Sequence, residues 1–176
     1  MIDYEWYEIV SAAEPITQGD FIRDCPIVIP PSDISESDEG AVYDSCVEYY
    51  DVIIISQACD IENNKLKYII VCPLWDLEAF VGKYTNFNNP GGKENLRKGL
   101  VFHYHMLNKS KSEDFAMDYK IVDFKKPFNV DIELIRDLAK KAPRLRLLPP
   151  YREQLSQMFA RSFMRVGLPK DIPKFK

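Results

Sequence analysis

The chain lacks most of the features that mark secreted, membrane and disulfide-rich proteins. Its four cysteines include no CxxC pair, the spacing on which many zinc and redox sites are built. No apolar run approaches the ~20 residues that cross a bilayer. The first residues, MIDYEWYEIV, carry acids where a secretory signal needs a basic segment. We therefore expect reduced thiols, no membrane contact and a cytoplasmic location.

Phosphate-binding glycine motifs are also absent. Neither GxGxxG nor GxxxxGK[ST] occurs, and the Gly- and Pro-containing stretch at 86–92 indicates turns instead of a phosphate loop. Histidine is scarce, because His103 and His105 are the only two in the chain. Both fall in a predicted strand over 100–107, where alternate residues share one face.

Two imidazoles on one strand face could bind a single metal ion if other side chains completed the coordination. The candidates for those further ligands are Asp60, Glu62 and Cys59. No second pair of ligands stands at a diagnostic spacing, so we predict no metal and no cofactor. A metal-dependent enzyme is kept as an alternative.

The composition fits one ordinary globular domain over residues 1–176, since 46% of the residues are hydrophobic and 28% are charged. The charge is divided unevenly: residues 1–92 hold 17 acids and 4 bases, and residues 93–176 hold 10 acids and 19 bases. Either the two halves pair with each other, or the basic half meets nucleic acid or an acidic protein partner.

Two apolar runs, 52–55 and 68–72, are rich in β-branched residues and too short for typical helices. They predict two buried strands joined by a polar stretch. The side chains gathered at that end of the hairpin are Ser56, Gln57, Cys59, Asp60, Glu62 and Asn63. A rigid sheet can hold reactive groups in such a loop, so this is a candidate catalytic site.

Cys59 would become a nucleophile if a base stabilised its thiolate, and His103 or His105 could be that base. Ser56 and Asp60 complete the set of catalytic candidates. The alternative is a structural turn in which Asp60 bonds to its own backbone.

The remaining pattern predicts an α+β fold with strands early and helices late. We expect a strongly bent antiparallel sheet or a small barrel, covered by helices of which the longest is C-terminal. The predicted elements are strands at 21–29 and 119–124, an acidic loop insertion at 31–48, a short strand at 145–148, and helices at 74–81, 131–142 and 150–166. Pro26 should restrict the first strand to an edge or a bulge.

A basic and polar surface is predicted near the C-terminus. Its members are Arg144, Arg146, Tyr151, Arg152, Gln154, Gln157, Arg161 and Arg165. Arginine forks match phosphate geometry and aromatic faces accept unstacked bases, so such a surface could hold single-stranded RNA. Alternatively, these arginines pair with the carboxylates of residues 1–92.

The order of motifs resembles the MazF/PemK family of toxin endoribonucleases over about residues 15–75. Gln18-Gly19-Asp20-Phe21 enters a strand, and DVIIISQACDIENNKLKYIIVCPL follows after an insertion. Ser56 matches the serine that ends the family's apolar strand, and Pro73-Leu74 matches the end of the next one. The resemblance implies an SH3-like barrel with packed helices, usually a dimer, that cuts single-stranded RNA without metal.

One position departs from that pattern. The family carries Arg-Pro before the strand that ends in the serine, and this chain has Tyr50-Asp51 there. An aspartate repels a phosphate that the arginine would attract. We therefore predict a non-catalytic module that contacts RNA or a protein partner through its basic C-terminal half. The alternatives are an active metal-free endoribonuclease and an enzyme dependent on Cys59 or a metal.

Overall fold

The computed structural model describes residues 4–32, 44–110, 112 and 115–164, and these form the predicted α+β arrangement. The strands are β1 (Tyr7–Val10), β2 (Phe21–Ile29), β3 (Cys46–Ile54), β4 (Tyr68–Asp76), β5 (Tyr104–Leu107), β6 (Lys120–Asp123), β7 (Phe128–Asp131) and β8 (Arg144–Leu147). The helices are α1 (Ala58–Glu62), α2 (Leu77–Lys83), α3 (Pro90–Arg97), α4 (Ile132–Ala139) and α5 (Tyr151–Phe163), with one 3-10 turn at Thr85–Phe87. None of these helices is long and apolar enough to cross a membrane.

The main sheet is antiparallel and has six strands in the order β2-β3-β4-β6-β5, with β7 also paired to β4. Strands β1 and β8 form a separate two-stranded sheet, which a single bridge between Asp20 and Arg146 joins to the start of β2. The sheet is not closed into the small barrel that was one of the two expected forms.

Strand β4 takes part in three ladders. Its residues Val71–Pro73 pair with β3, while Tyr68–Val71 pair with β7 and Leu74–Asp76 pair with β6. Strands β6 and β7 thus follow the same edge of β4, and residues 124–127 form the turn between them. The pairing of β3 with β4 ends at Val52 and Pro73, beyond which Tyr49 and Asp51 on β3 and Leu74 and Asp76 on β4 line one side of a cleft. We call the resulting gap between β3 and the end of β4 the fork.

The two faces of the sheet bury separate apolar clusters, as alternation along the strands requires. One face lies under α1 and α4 and contains Ile22, Cys25, Ile27, Val52, Ile54, Ile61, Val71 and Ile135. The opposite face lies under β8 and α5 and contains Phe21, Ile53, Cys72, Leu107, Leu145, Leu147, Leu155 and Met158. A third cluster, centred on the fully buried Phe80, joins α2 and α3 to the far end of the sheet.

Several predicted elements are confirmed. The strand at 21–29 is β2, which lies at the edge of the sheet and has an irregular register before Cys25, as Pro26 required. The helix at 131–142 is α4, shortened to Ala139, and the Asp131 side chain caps it by accepting a hydrogen bond from the Glu133 N–H at 2.9 Å.

Other predicted boundaries are wrong. The helix expected at 74–81 begins only at Leu77, because β4 continues to Asp76. The turns expected at 86–92 include the start of α3, where Asn89 accepts from the Gly92 N–H at 2.8 Å and proline takes the first helical position. The acidic loop expected at 31–48 loses its last residues to β3, and residues 33–43 lie outside the described residues.

Candidate functional site

Ser56 lies at the end of β3, as predicted, but its hydroxyl is engaged with the backbone. Its Oγ accepts a hydrogen bond from the Ile70 N–H at 2.8 Å, while its own N–H donates to the Ile70 carbonyl at 3.3 Å. The side chain therefore extends the pairing of β3 with β4 into the connection between them. This is a structural use of the hydroxyl.

Cys59 and Asp60 lie on the short helix α1, which replaces the polar loop expected between the strands. The Cys59 side chain is exposed, and the Asp60 carboxylate forms a long ion pair with Lys65 at 3.6 Å. His105 pairs with Val122, which pairs with Leu74, so it stands two strands away from β4. Leu74 lies four residues along β4 from Ile70, the residue that is hydrogen-bonded to Ser56 just before α1. Cys59 and His105 are therefore separated both along β4 and across two strands, and the structure does not bring them together.

The strand predicted over 100–107 begins only at Tyr104, so His103 lies in the preceding turn, where its carbonyl accepts a hydrogen bond from the Phe124 N–H at 3.0 Å. His105 is buried and its ring lies parallel to Phe124, with 6.3 Å between the ring centroids. Burial lowers the pKa of His105 to about 4. Within the described ranges, no group of three or more His, Cys, Asp or Glu side chains could hold a metal ion.

Arg144 and Arg146 point inward and hold one buried carboxylate. Arg144 Nε lies 2.7 Å from Asp20 Oδ2, and Arg146 Nε lies 2.6 Å from Asp20 Oδ1. Arg144 also donates to the carbonyls of Glu14 and Pro15, at 2.9 and 2.8 Å. Both arginines therefore pair with a carboxylate of residues 1–92, as the alternative to RNA binding predicted.

The Gln18–Asp20 turn, which carries part of the family resemblance, is a packing junction. Gly19 has φ +84°, and a Cβ placed there would come within 3.1 Å of the Leu147 Cβ, so the position requires glycine. Gln18 Nε2 donates to the Ile55 carbonyl at 2.6 Å and to Ser156 Oγ at 2.9 Å. These contacts tie the start of β2 to β3, β8 and α5.

The rest of the predicted basic surface is only partly available. The Tyr151 ring stacks on Trp6 with the centroids 3.6 Å apart, and Arg152 pairs with the neighbouring Glu153 at 3.1 Å. The side chains that remain exposed along α5 are Gln154, Gln157 and Arg161, with the Arg161 guanidinium 5.0 Å from the centre of the Phe102 ring. Arg165 lies outside the described residues.

The structure forms a cleft of about 550 Å³ that the sequence analysis did not predict. The fork forms one side of it, with Tyr49 and Asp51 on β3 and Leu74 and Asp76 on β4. The rest of the wall comes from the start of β2, from residues 115–120 and from the connection of α4 to β8. Its apolar floor is made of Phe21, Leu74, Phe115, Met117, Leu138 and Leu145, with Arg23, Asp24, Asp118, Lys120 and Lys141 among them.

The charged groups of this cleft differ in how they are partnered. Lys120 pairs with Asp76 at 2.7 Å, and the Arg23 guanidinium lies 5.3 Å from the centre of the Phe115 ring. Asp51 Oδ1 accepts a hydrogen bond from the Asp24 N–H at 3.3 Å. Neither the Asp24 nor the Asp51 carboxylate has a cationic partner among the residues that the structure describes. Among those residues the cleft thus offers two carboxylates, Asp24 and Asp51, and two cations, Arg23 and Lys141, without an ion-pair partner, beside an apolar floor.

One sequence signal points to this cleft in retrospect, because Pro73 interrupts an otherwise continuous apolar strand. No family model and no curated protein matches the chain. The site is therefore interpreted from its own geometry.

Proposed function

We propose that this chain is a non-catalytic module that binds a protein partner, and that the cleft and the adjoining face of the β2–β3 hairpin form its binding surface. The observation that carries the proposal is the continuity of an uncovered apolar sheet face with a cleft of about 550 Å³. Pockets of this size and mixed polarity are typical ligand sites.

This exposed face belongs to the part of the β2–β3 hairpin that extends past the last pair between β3 and β4. Val28 lies opposite Val47 and Pro26 lies opposite Tyr49, so these four side chains share one face. Val28 is 63%, Val47 is 47% and Tyr49 is 67% exposed. Tyr49 also lines the cleft, and the two features therefore form a single surface. Contiguous exposed apolar surface of this kind marks interaction sites in soluble proteins.

The charges favour a protein over RNA as the partner. Four aspartates line the cleft. Apart from Arg144, which is paired with Asp20, only three cations line it, so it does not attract a polyanion. Arg144 and Arg146, which the RNA hypothesis needed on the surface, are held by Asp20. The catalytic alternatives lose support because the Ser56 hydroxyl is engaged with the Ile70 backbone and His105 stands two strands away from β4.

A relation to the small SH3-like barrels of the MazF/PemK family is part of the proposal. It is supported by the Gln18–Asp20 turn at the start of β2, by Ser56 at the end of β3 and by the Pro73-Leu74 step in β4. In this chain the corresponding sheet is open, and the opening is where we place the partner. A dimer, which the resemblance also implies, stays a prediction.

Site-specific photo-cross-linking tests the proposal. A benzophenone amino acid replaces Tyr49 in cells that naturally express the chain, and Tyr68 is the matched control because it is 53% exposed at the opposite end of β4. We expect Tyr49 alone to yield a discrete protein adduct, identified by mass spectrometry and reproduced with the purified partner. Leu74→Lys should abolish the adduct while a thermal melt shows that the chain remains folded.

Labelled single-stranded RNA provides the opposing test. Fluorescence anisotropy at two salt concentrations should detect no binding at physiological salt. If RNA instead binds with a steep salt dependence that Arg161→Ala flattens by about one phosphate contact, the protein-partner proposal is overturned in favour of an RNA-binding surface on α5.

A further inference from the structure

We infer, on the basis of the proposed function, that the partner enters the fork as an extended segment and pairs with β3 as an added strand. The first step concerns the direction of the β3 backbone groups. The Ile54 N–H donates to the Asp20 carbonyl at 3.0 Å, whereas the Ile55 N–H donates to the Ile70 carbonyl at 2.9 Å. Backbone groups alternate along a strand, so odd-numbered residues of β3 face β4. Tyr49 therefore directs its N–H and C=O groups, and Asp51 its N–H group, into the fork.

The same reasoning applies to β4. The Ile70 carbonyl and N–H face β3, and so do the backbone groups of Cys72 and Leu74, two and four residues further. Ile53 pairs with Cys72, which would make Asp51 and Leu74 the next hydrogen-bonded pair. The pairing ends at Val52 and Pro73, and because proline has no N–H this last pair is closed by the Leu74 N–H, which donates to the Asp51 carbonyl. Beyond that bond the Asp51 N–H, the Tyr49 backbone groups and the Leu74 carbonyl have no partner in the β3–β4 ladder, and they face the fork.

The other exposed edge of the hairpin is poorly suited to accept a strand. Along the outer edge of β2, Pro26 supplies no N–H, and the register shift between Ile22 and Cys25 breaks the regular spacing of donors and acceptors. Natural sheets use such prolines and bulges to prevent pairing at an edge. The fork carries no proline on the β3 side, and a strand added there continues the ladder that β4 leaves. Addition of a strand to a sheet edge is a common mode of peptide recognition.

The side chains of the cleft indicate the chemistry of that segment. Residues that alternate along an added strand point to the same face, so two positions separated by one residue both face the cleft. The apolar floor of Leu74, Phe115 and Leu145 accepts an aliphatic side chain. Asp24 and Asp51, which lack a cationic partner within the described part of the chain, favour lysine or arginine at the other position. The predicted ligand is a basic peptide segment with an aliphatic residue two positions from its cation.

Phage display and backbone methylation test this inference. A library of random linear nonapeptides is selected on the full-length chain, with counter-selection on Leu74→Lys. Enriched peptides are then synthesised with a fluorescent label and with one N-methyl amide at each position in turn. Because N-methylation removes a backbone donor, affinity should fall about tenfold at alternate positions and little at those between them. An effect with helical spacing, or no enrichment over Leu74→Lys, overturns strand addition.

The charge is tested with a matched pair of variants. Asp51→Asn should weaken the selected peptides about fivefold and flatten their salt dependence, while Glu62→Gln, on the exposed part of α1, should change neither. Equal effects of the two variants would refute the assignment of the cation to Asp24 and Asp51. A Tyr49 cross-link to a protein without any enriched peptide would refute strand addition and leave the proposed function standing. If neither a Tyr49 cross-link nor an enriched peptide is found, strand addition and the proposed function are both refuted.

Discussion

Arg144 should be among the residues whose loss costs the chain most stability. Its side chain is 4% exposed, and it forms an ion pair with the fully buried Asp20 and bonds with three carbonyl oxygens, of Ser11, Glu14 and Pro15. Removing one partner of a buried ion pair typically costs about 3–5 kcal/mol, because the remaining charge stays in the interior without compensation. Arg146 still contacts Asp20, so we expect Arg144→Ala to fall near the lower value, about 3 kcal/mol.

The measurement is urea unfolding at pH 7, followed by tryptophan fluorescence. Arg144→Lys keeps the charge but loses the planar fork of donors, and should cost about 1–2 kcal/mol. Arg161→Ala, on the exposed part of α5, is the matched control and should change the free energy of unfolding by less than about 0.5 kcal/mol. If Arg144→Ala costs no more than Arg161→Ala, the inward network around Asp20 is wrong and Arg144 returns to the surface as a candidate for binding anions.

Three further predictions concern His105, Gly19 and α5. Burial lowers the pKa of His105 from 6.5 to about 4, so its contribution to stability is complete above pH 6.5 and falls by up to about 3 kcal/mol as the pH drops toward 4. His105→Phe should remove this component of a stability profile measured by urea titration, and an unchanged profile would contradict the burial of the imidazole. Gly19→Ala should lower the free energy of unfolding by about 1–3 kcal/mol, since φ is +84° and the Leu147 side chain is close; a cost under about 0.5 kcal/mol in thermal melts would show that the turn can relax. Phe159→Ala should cost about 2 kcal/mol and Phe163→Ala less than about 1 kcal/mol, because Phe159 packs against Phe124 while Phe163 is 59% exposed; denaturant titration giving the reverse order would mean that α5 is rotated.

Local patterns in the sequence were sufficient to predict several elements. Pro26 restricted β2 to an edge, and Asp131 marked the start of α4, because each effect depends on neighbouring residues only. The start of α3 was missed although Asn89 precedes it and proline is its first residue, since Gly91 and Gly92 lower helix propensity and resemble a turn. On α5, the small Ser162 is buried while the larger Phe163 is 59% exposed, which the composition of the helix does not reveal.

The candidate site was harder to predict because it depends on contacts between distant parts of the chain. The alternation of Arg144 and Arg146 with leucines indicates a strand, but it does not reveal which face meets Asp20, 124 residues earlier. The fork likewise requires knowing that the pairing of β4 with β3 ends at Pro73 while its other edge passes from β7 to β6. Pairing between strands follows from the whole fold, and the local sequence of a strand does not reveal which strand it pairs with or which of its faces is buried.

The end of the β3–β4 ladder gives neighbouring amides of β3 different access to solvent exchange. Ile53 is paired with Cys72 and is fully buried, whereas Asp51, two residues earlier, directs its amide into the fork. Protection against hydrogen exchange should therefore drop sharply between these two positions, within a single strand. A ligand bound in the fork would cover the Asp51 amide and slow its exchange, so this one backbone group reports whether the cleft is occupied even when the partner contributes no other signal.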